Sequence, residues 1–398
     1  MKLLIVHNRY RYSGGEDQVV RRESELLRSA GHSVLEYTRR NDEILEDGIL
    51  NKAKLGMQTL WAWDTQQELQ TILRRERPQV VHFHNTFPLI SPAAYYTCQA
   101  AGVPVVQSLH NPRLMCPTAT FYREGKVCQD CLGKAVPWPG VVHSCYHNSA
   151  LHTLTVAGML SLHRLLGTWN QRVDAYVVFT ELFRQKFIAA GLPPEKIFLK
   201  PHFLLSDPGV KQQQGEYALY AGRLAPEKGI RTLLEAWKLL GNHVPLRIAG
   251  DGPNREVLEA VKEQARLSNA SFDGWLAPDH LHSVMKRAAF LVFPSEFHET
   301  FGLTIIEAFA CGVAVIASRL GATMEIVENG KTGLHFTPGN AMDLASKVEW
   351  AWTHKTEMEA MGRAARAEYQ AKYTAERNYQ LLIELYRRAR NTTTRKAA

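Results

Sequence analysis

The sequence predicts an α/β protein made of two doubly wound, parallel-sheet domains. Short apolar runs alternate with segments of helical spacing in 1–205, and the alternation starts again after residue 216. A turn-rich stretch, Ser206 to Glu216, separates the two series and contains Asp-Pro-Gly and a run of glutamines. A chain of 398 residues is also too long for one ordinary hydrophobic core.

The first domain is predicted over 1–205. Its expected strands are short and apolar: Leu3–His7, His32–Thr38, Val80–His84, Val103–His110, Ala175–Thr180 and Ile197–Pro201. Helices are predicted between them, at Glu16–Ala30, Thr65–Arg77, Pro92–Ala101, Ala150–Trp169 and Glu181–Ala190. Residues 111–149 interrupt this rhythm and form a cysteine-rich insertion.

The second domain is predicted over 206–370. Its expected strands are Tyr217–Gly222, Leu246–Gly250, Ala289–Phe293, Val313–Ser318 and Leu334–Phe336, with helices between them. Residues 371–398 form helices easily and end in a basic tail, and we expect them to pack back on the first domain. Two such sheets joined by one linker imply a cleft, with ligands at the carboxyl ends of the strands.

Composition indicates a globular protein of the cytoplasm. Apolar residues make up 45% and charged residues 22% of the chain. The N-terminus has too few apolar residues for a signal peptide, and no apolar run approaches the ~18–20 residues that a transmembrane helix needs. We therefore expect reduced thiols and a cytoplasmic protein, peripheral at most to the inner face of the membrane.

The positive charge is concentrated in the first domain. Residues 1–205 hold 23 lysines and arginines against 17 acidic residues, so they carry most of the net charge of +8. This charge is compatible with an anionic membrane surface, a phosphorylated acceptor or nucleic acid, but no aromatic-basic motif of a nucleic-acid module is present. Cations beside aromatic rings, expected in loops, suit a phosphorylated, lipid-linked acceptor presented at a membrane surface, and the equal alternative is solvated charges with half-buried rings. These residues are Arg9, Tyr10, Arg11, Tyr12, Trp61 and Trp63.

One stretch, Phe293 to Ala310, combines an apolar strand end, a short loop and a helix predicted over Leu303 to Ala310. Gly302 lets an anionic ligand approach the first backbone N–H groups of that helix, which carry a partial positive charge. Glu299 and Glu307 can each accept hydroxyl hydrogen bonds, so they suit a sugar or a ribose. The alternative is that both carboxylates are merely solvated.

A second strand-to-helix turn, Tyr220 to Gly229, carries two cations. Arg223 and Lys228 flank the loop, and a guanidinium with an ammonium suits a diphosphate better than a carboxylate. The alternative is a surface turn with two solvated cations.

Taken together, four motifs resemble the retaining glycosyltransferases of family 4, of the kind found in bacterial polysaccharide biosynthesis. The motifs are GRLAPEKG at 222–229, AGDGP at 249–253, FPSEFHETFGLTIIEA at 293–308 and GATMEIVENGKTGLHFTP at 321–338. The resemblance implies the GT-B fold, in which two Rossmann-like parallel-sheet domains face each other across a cleft. It extends more loosely to Gly14 and Gly15 after the first strand and to His110 at the end of another.

The resemblance implies a nucleotide-diphosphate sugar donor and a role for each matching residue. Arg223 and Lys228 would bind the diphosphate and Glu307 the ribose. Glu299 would hold hydroxyls of the transferred sugar, while backbone groups of the adjoining loop and helix would face the donor: Phe301, Gly302, Leu303 and Thr304. Gly14 and Gly15 would close over the phosphates.

His110 would reach the transferred sugar near the reacting carbon, and its alternative is a structural histidine. With Glu299, Arg223 and Lys228 it makes up the expected catalytic set. The sequence departs from the common family pattern after His110, where Asn111-Pro112 replaces a frequent acidic residue, so no carboxylate role is expected there.

The chemistry implied is retaining transfer of a hexose without a catalytic metal. Breaking a sugar–phosphate bond builds negative charge on the leaving diphosphate, which Arg223, Lys228 and the helix N-terminus would oppose. No Asp-x-Asp occurs in the chain, so a metal clamp on the diphosphate is not expected. The acceptor would be a glycan, lipid-linked, in cell-surface polysaccharide synthesis. The alternatives are a nucleotide-sugar epimerase or phosphorylase of GT-B fold, or a zinc-stapled binding protein without catalysis.

Four cysteines in the insertion predict a structural zinc site. Their spacing is C-x11-C-x2-C-x13-C, which suits a tetrahedral metal in a reducing compartment, and the residues are Cys116, Cys128, Cys131 and Cys145. His143 or His147 is an alternative fourth ligand. Ordinary thiols and an iron–sulfur cluster are the other interpretations.

Overall fold

The computed structural model describes residues 1–11, 14–44 and 48–397, which form two compact units. Unit 1 comprises Met1–Phe121, Gln129–Pro201 and the chain from Asn378 onward. Unit 2 comprises Tyr122–Cys128 and His202–Arg377. The C-terminal helix from Asn378 is thus grouped with unit 1, and a short piece of the cysteine-rich insertion is grouped with unit 2.

Unit 1 is built on a six-stranded sheet in the order β2-β1-β3-β4-β7-β8, and all its neighbouring strands are parallel. Leu3 to Val6 in the first strand are all fully buried, as expected when helices cover both faces of a parallel sheet. The strands are β1 Lys2–Arg9, β2 Ser33–Arg40, β3 Val80–Asn85, β4 Val105–Ser108, β7 Ala175–Val178 and β8 Ile197–Leu199.

In the described part of the chain, eight α-helices come before strand β8 in sequence. They are α1 Gly15–Ser29, α2 Ile49–Leu60, α3 Trp63–Glu76, α4 Ala94–Ala100, α5 Trp138–Val142, α6 Ala150–Leu165, α7 Thr168–Gln171 and α8 Glu181–Ala189. The core of the unit contains β1, β3 and β4 side chains such as Leu4, Val6, Phe83 and Val105.

Unit 2 repeats the architecture with a six-stranded parallel sheet in the order β11-β10-β9-β12-β13-β14. The strands are β9 Tyr217–Ala221, β10 Leu246–Ala249, β11 Ala270–Gly274, β12 Ala288–Phe293, β13 Val315–Ser318 and β14 Gly333–Phe336. A separate antiparallel hairpin, β5 Tyr122–Arg123 with β6 Lys126–Val127, belongs to the same unit.

Helices follow most strands of unit 2. They are α9 Ile230–Leu240, α10 Arg255–Gln264, α11 Pro278–Met285, α12 Leu303–Ala310, α13 Thr323–Ile326, α14 Ala341–Thr353 and α15 Lys355–Lys372. The last helix, α16 Ala375–Ala397, begins in unit 2 and continues in unit 1. Trp237 on α9 is fully buried in the core of unit 2, against strand residues such as Phe290.

The predicted α/β class with two parallel sheets is confirmed, and the sequence missed a few elements. Helix α2 and strand β11 were not predicted, and the helix expected at Ala150–Trp169 is divided into α6 and α7. Strand β11, Ala-Ser-Phe-Asp-Gly, lies at the edge of its sheet and is only partly buried, so it lacks the apolar run of a central strand.

Each sheet has one point where the strand order reverses. This point lies between β1 and β3 in unit 1, and between β9 and β12 in unit 2. In doubly wound sheets the loops leave such a point in opposite directions, which opens a ligand crevice outside the carboxyl ends of the strands. In unit 2 these loops carry Arg223 and Lys228 on one side and Glu299 on the other.

The two loops of unit 2 approach each other closely at Gly229. This glycine has φ +67° and ends the short 3₁₀ turn Pro226–Lys228. A Cβ atom on it would lie 1.9 Å from the carbonyl oxygen of Pro294, which follows β12. Only a residue without a side chain lets the turn after β9 meet the end of β12 at this distance.

We expect Gly229→Ala to lower the free energy of unfolding by about 3 kcal/mol or more, since positive φ and overpacking each cost 1–3 kcal/mol. Gly102→Ala is the matched control, because Gly102 has the same φ of +67° but no heavy atom within 4 Å of an added Cβ. Urea denaturation followed by tryptophan fluorescence measures both variants. Equal losses in the two variants would show that the close approach to Pro294 does not constrain the fold.

Candidate functional site

Lys228 and Glu299 form a half-buried ion pair at the strand reversal of unit 2. Lys228 Nζ donates to Glu299 Oε1 at 2.7 Å, and Ser295 Oγ donates to the same oxygen at 2.6 Å. The two side chains are 22% and 11% exposed. The ammonium also lies 4.8 Å from the ring centroid of Phe297. Both groups are therefore held in place by the protein before any ligand arrives.

Gly302 and α12 adjoin this pair. Gly302 has φ +134°, which L side chains rarely adopt, and an added Cβ would lie 2.9 Å from Ile305 Cδ1. Helix α12 starts at the next residue, so the free N–H groups of its first turn and the associated partial positive charge lie a few residues beyond Glu299. Glu307 is 7% exposed in the second turn of α12.

The other residues predicted in this region lie on the same loops. Phe301 is buried and packs edge-on against His202 and Tyr373, with ring centroids 5.0 and 5.9 Å away. Leu303 and Thr304 are half-buried at the start of α12. Of the residues that the sequence assigned to a donor, the structure shows Lys228 and Glu299 in direct contact, and Phe301 to Thr304 follow Glu299 along the same loop and into α12.

Arg223 is placed differently from Lys228. Its guanidinium is 62% exposed and pairs with Glu227 on the same turn. The loop after β12 contacts the same turn through Glu296. The backbone N–H of Glu296 donates to the Glu227 carbonyl, and its side chain accepts a hydrogen bond from Thr232 Oγ1 at 2.5 Å. Arg223 therefore lies at the rim of the loop region.

In unit 1, Asp17 of α1 links Gly14 to His7 of strand β1. Asp17 Oδ2 accepts from the backbone N–H of Gly14 at 2.9 Å, and Asp17 Oδ1 lies 2.8 Å from His7 Nε2. A Cβ on Gly14 would meet no heavy atom within 4 Å, so there is open space beside this turn. Gly15 is the exposed first residue of α1.

His110 follows β4 at the carboxyl edge of the unit 1 sheet. Its Nε2 atom lies 2.9 Å from Nδ1 of His84, which is on the neighbouring strand β3. Its ring also packs against Phe179, with centroids 5.0 Å apart. Burial lowers the pKa of His110 well below its ordinary value, so the imidazole is neutral near pH 7.

Behind His110 lies a buried polar cluster. Glu23 of α1 forms an ion pair with Lys200, and its other oxygen lies 3.5 Å from His84 Nε2 and 3.8 Å from His82 Nδ1. His82 has a partner at each ring nitrogen, Tyr386 at 2.8 Å and Ser108 at 2.9 Å. Among the described residues, Glu23, His82 and His84 are the one set of three potential metal ligands within 4.8 Å of one another. Because Lys200 already neutralises Glu23, this set suits a hydrogen-bond network better than a cation.

Sequence reasoning missed this cluster, although part of its signal was visible. Glu23 interrupts the apolar stripe of α1 that includes Val19, Val20, Leu26 and Leu27, so a buried carboxylate could have been inferred. His82 and His84 occupy alternate positions of a fully buried strand. The position of Lys200 after an apolar strand gave no comparable signal.

Two family models match the chain, one for each unit. "Glycosyltransferase Family 4" matches residues 13–203, and "Glycosyl transferases group 1" matches residues 205–368. The matches follow one another across most of the chain and meet close to the predicted linker.

The chain belongs to the family 4 glycosyltransferases. The resemblance inferred from the four motifs is therefore confirmed.

Curated relatives of this family 4 chain match it over part of its length. A lipopolysaccharide 1,2-N-acetylglucosaminetransferase of Salmonella typhimurium is 30% identical over 43% of the chain and 51% of its own length. The D-rhamnosyltransferase WbpZ of Pseudomonas aeruginosa is 32% identical over 40% of the chain and 42% of its own length. The matched part is about half, or less, of each of these relatives.

Solved structures share the fold over nearly the whole length. A sucrose-phosphate synthase from Thermosynechococcus elongatus superposes with a TM-score of 0.71, covering 97% of this chain and 98% of that one at 18% identity. HepE of Anabaena in complex with UDP gives a TM-score of 0.69, covering 96% and 99% at 18% identity. These similarities confirm the predicted GT-B class.

The four cysteines of the insertion are half-buried, and none of them forms a disulfide with another described cysteine. Cys116 Sγ lies 3.2 Å from Thr118 Oγ1, and Cys131 Sγ lies 3.8 Å from the carbonyl oxygen of Pro137. The three that belong to unit 1, which include Cys145, do not bring their sulfurs within 4.8 Å of one another. Zinc binding would need these sulfurs to move together, and the zinc site stays a prediction.

We expect protein purified without chelators to carry about one zinc ion per chain, because four thiolates close a structural zinc site. Elemental analysis measures the metal, and the double variant Cys128→Ser, Cys131→Ser should lose it. Cys98→Ala is the control, since Cys98 is buried in the core on α4 and should leave the metal content unchanged. Absence of metal from the unaltered protein would reject the site.

Proposed function

We propose that the chain is a retaining glycosyltransferase. It transfers a hexose from a nucleotide-diphosphate donor to a glycan acceptor, without a catalytic metal. The observation that carries this proposal is the Lys228–Glu299 pair at the strand reversal of unit 2, next to the N-terminus of α12. Its relatives in lipopolysaccharide and rhamnose transfer support the same class of reaction.

The donor diphosphate is assigned to Lys228 and Arg223. Lys228 is half-buried and oriented by two partners, so its ammonium needs little reorganisation to stabilise charge that develops on a leaving group. Arg223 at the rim supplies a planar fork that suits a phosphate as it enters. The N–H groups of Gly302, Leu303 and Thr304 add the positive end of α12.

In this proposal, two carboxylates bind the sugars of the donor. Glu299 has one oxygen engaged by Lys228 and Ser295, and a carboxylate oxygen has further lone pairs for sugar hydroxyls. Glu307 is placed on the nucleotide ribose. In unit 1, the open space beside Gly14 suits a phosphate, and His110 is assigned to the transferred sugar.

Retention follows in this proposal from the same-face attack of the acceptor, with the leaving diphosphate helping to take the acceptor proton. The new sugar–oxygen bond replaces the sugar–phosphate bond, and the acceptor proton passes to the diphosphate. The absence of an Asp-x-Asp sequence supports catalysis by cationic side chains in place of a metal clamp. A structural zinc would take no part in this step.

The proposed acceptor is a lipid-linked glycan used in cell-surface polysaccharide synthesis. None of the described helices combines the length and the apolar character that crossing a bilayer requires. Unit 1 instead presents apolar side chains on three helices that pack together, α2, α5 and α6. These exposed side chains, here called the apolar face, are Leu50, Met57, Trp138, Val142, Leu151, Leu154 and Leu165. Contact with an anionic membrane is assigned to this face.

The loops first considered for membrane contact are less suitable. Arg9 lies 3.6 Å from Glu36, and Arg11 lies 3.8 Å from Asp42. Trp61 stacks on the ring of His163, while Trp63 is 61% exposed. Tyr12 lies outside the described residues.

We expect Lys228→Ala to lower kcat by about 10²- to 10³-fold, since removal of an oriented charge-stabilising group has this effect. Glu307→Ala should also lower turnover strongly, because the donor ribose would lose its hydrogen-bond acceptor. The assay follows sugar transfer or donor hydrolysis with UDP-, GDP- and ADP-sugars. Circular dichroism checks that the fold is kept.

Arg231→Ala is the control for these variants. Arg231 is an exposed cation on α9 whose one ion pair among the described residues is with Glu235 in the same helix, so its loss should leave turnover unchanged. Turnover like that of the unaltered protein in both Lys228→Ala and Glu307→Ala would remove the basis of the donor assignment.

A separate expectation concerns the membrane. The protein should bind vesicles that contain anionic lipid, and more weakly as salt rises, because exposed charges are screened over ~8 Å at physiological ionic strength. The double variant Leu151→Ser, Leu154→Ser should weaken binding about tenfold or more, because two partly exposed leucines no longer enter the apolar layer.

The matched variant for this test is Leu239→Ser, Val257→Ser, which alters two exposed apolar residues of unit 2. It should bind vesicles as the unaltered protein does. If vesicles fail to bind even at low salt, a soluble acceptor becomes the better interpretation.

A further inference from the structure

Two buried polar atoms of unit 1 face each other without a hydrogen bond. They are Oε2 of Glu23 and Nε2 of His84, 3.5 Å apart, and neither has a hydrogen-bond partner among the described residues. Both side chains are fully buried. Burying polar atoms without hydrogen bonds costs free energy unless nearby charges compensate for the lost contact with water. The free energy of this pair therefore depends on whether His84 carries its proton on Nε2, facing Glu23, or on Nδ1.

Both histidines in this part of the cluster are neutral. Burial lowers the pKa of His84 well below its ordinary value, and the same cause acts on His110. A neutral imidazole carries one N–H donor and one lone pair, so the hydrogen bond of 2.9 Å between His84 Nδ1 and His110 Nε2 has only two possible directions.

Glu23 favours one of these directions. Its carboxylate is fixed by Lys200, which also donates to Asn378 at 3.3 Å, so Oε2 remains turned towards His84. A carboxylate oxygen can only accept, and it therefore stabilises a proton on Nε2 of His84. Nδ1 of His84 then holds the lone pair and accepts from His110.

We propose that Glu23 is a positioning residue for His110. Through His84 it keeps the proton of His110 on Nε2 and the lone pair of His110 on Nδ1. Lys200 is the second positioning residue, because it holds the carboxylate of Glu23 in place. A relay of four side chains thus runs from Lys200 through Glu23 and His84 to His110.

This inference rests on the proposed function for its effect on turnover. His110 with its lone pair on Nδ1 can accept a hydrogen bond from a hydroxyl of the transferred sugar, whereas the other tautomer would present an N–H group. A wrong tautomer should slow the chemical step while leaving the affinity for the donor nucleotide, held by unit 2, nearly unchanged.

The direct test is the tautomer itself. The full-length protein is labelled with ¹⁵N in its histidine rings, and the ring nitrogens of His84 and His110 are assigned from the spectra of His84→Asn and His110→Asn. In the unaltered protein we expect both residues to carry the proton on Nε2. Finding the proton of His110 on Nδ1 would overturn the proposal without any variant having to fold.

The decisive variant is Glu23→Leu, Lys200→Met, which replaces the buried ion pair by apolar side chains of similar size and leaves no unpaired charge. We expect His84 and His110 to become mixtures of tautomers. We also expect kcat to fall about 10- to 100-fold, the range seen when the partner that orients a metal-bound histidine is removed, with KM for the donor changed less than about threefold.

Tyr386→Phe is the matched control. It removes a hydroxyl that bonds to His82 in the same buried cluster, but this hydroxyl is not part of the relay to His110. The tautomer of His110 and kcat should stay as they are in the unaltered protein.

The outcomes separate this inference from the proposed function. An unchanged His110 spectrum in Glu23→Leu, Lys200→Met would overturn the relay, whereas an altered tautomer with unchanged kcat would overturn its effect on turnover. If no nucleotide sugar supports transfer by the unaltered protein, the proposed function fails, while the spectra still decide whether Glu23 sets the tautomer.

Discussion

A parallel sheet that is covered by helices on both faces leaves polar side chains one place to reach a ligand, the edge where its strands end. Both units obey this constraint. The strands are largely buried, and the residues assigned to ligands follow β1 and β4 in unit 1 or β9 and β12 in unit 2, whereas His82 and His84 lie within β3. The close contact of Gly229 with Pro294 is a consequence, because two loops must share the space above adjacent strands.

The site in unit 2 is assembled without a ligand. Lys228 and Glu299 neutralise each other, and Ser295 fixes the carboxylate, so neither charge is left unpaired in a half-buried position. In the proposed function, a donor with a negative diphosphate and several hydroxyls would offer both groups new partners of the right kind. Such preorganisation would let binding energy act on the reaction, since little of it would be used to order the side chains.

The fold and the unit 2 site were largely predictable, whereas the interior of unit 1 was not. Helix α12, Leu303–Ala310, was predicted with its observed bounds because Gly302 and an apolar run mark its start. Strand β11 escaped because it is partly exposed and lacks a continuous apolar run, whereas helix α2 is as amphipathic as helices that were predicted and was simply missed. The relay behind His110 joins residues of α1, β3 and the end of β8, and only tertiary packing brings them together. The spacing of these residues along the chain does not indicate that they lie together.

The buried histidines also lower the folding stability of unit 1 in acid. Burial outweighs the attraction of Glu23 and lowers the pKa of His82 from 6.5 to about 4. Between these values the unfolded chain takes up a proton that the folded unit excludes, so stability is retained above pH 6.5 and is lost as the pH falls. For His82 alone the loss amounts to about 3 kcal/mol, a large share of the stability of an ordinary domain. A network built from neutral imidazoles therefore makes the stability of unit 1 fall as the surroundings become acidic.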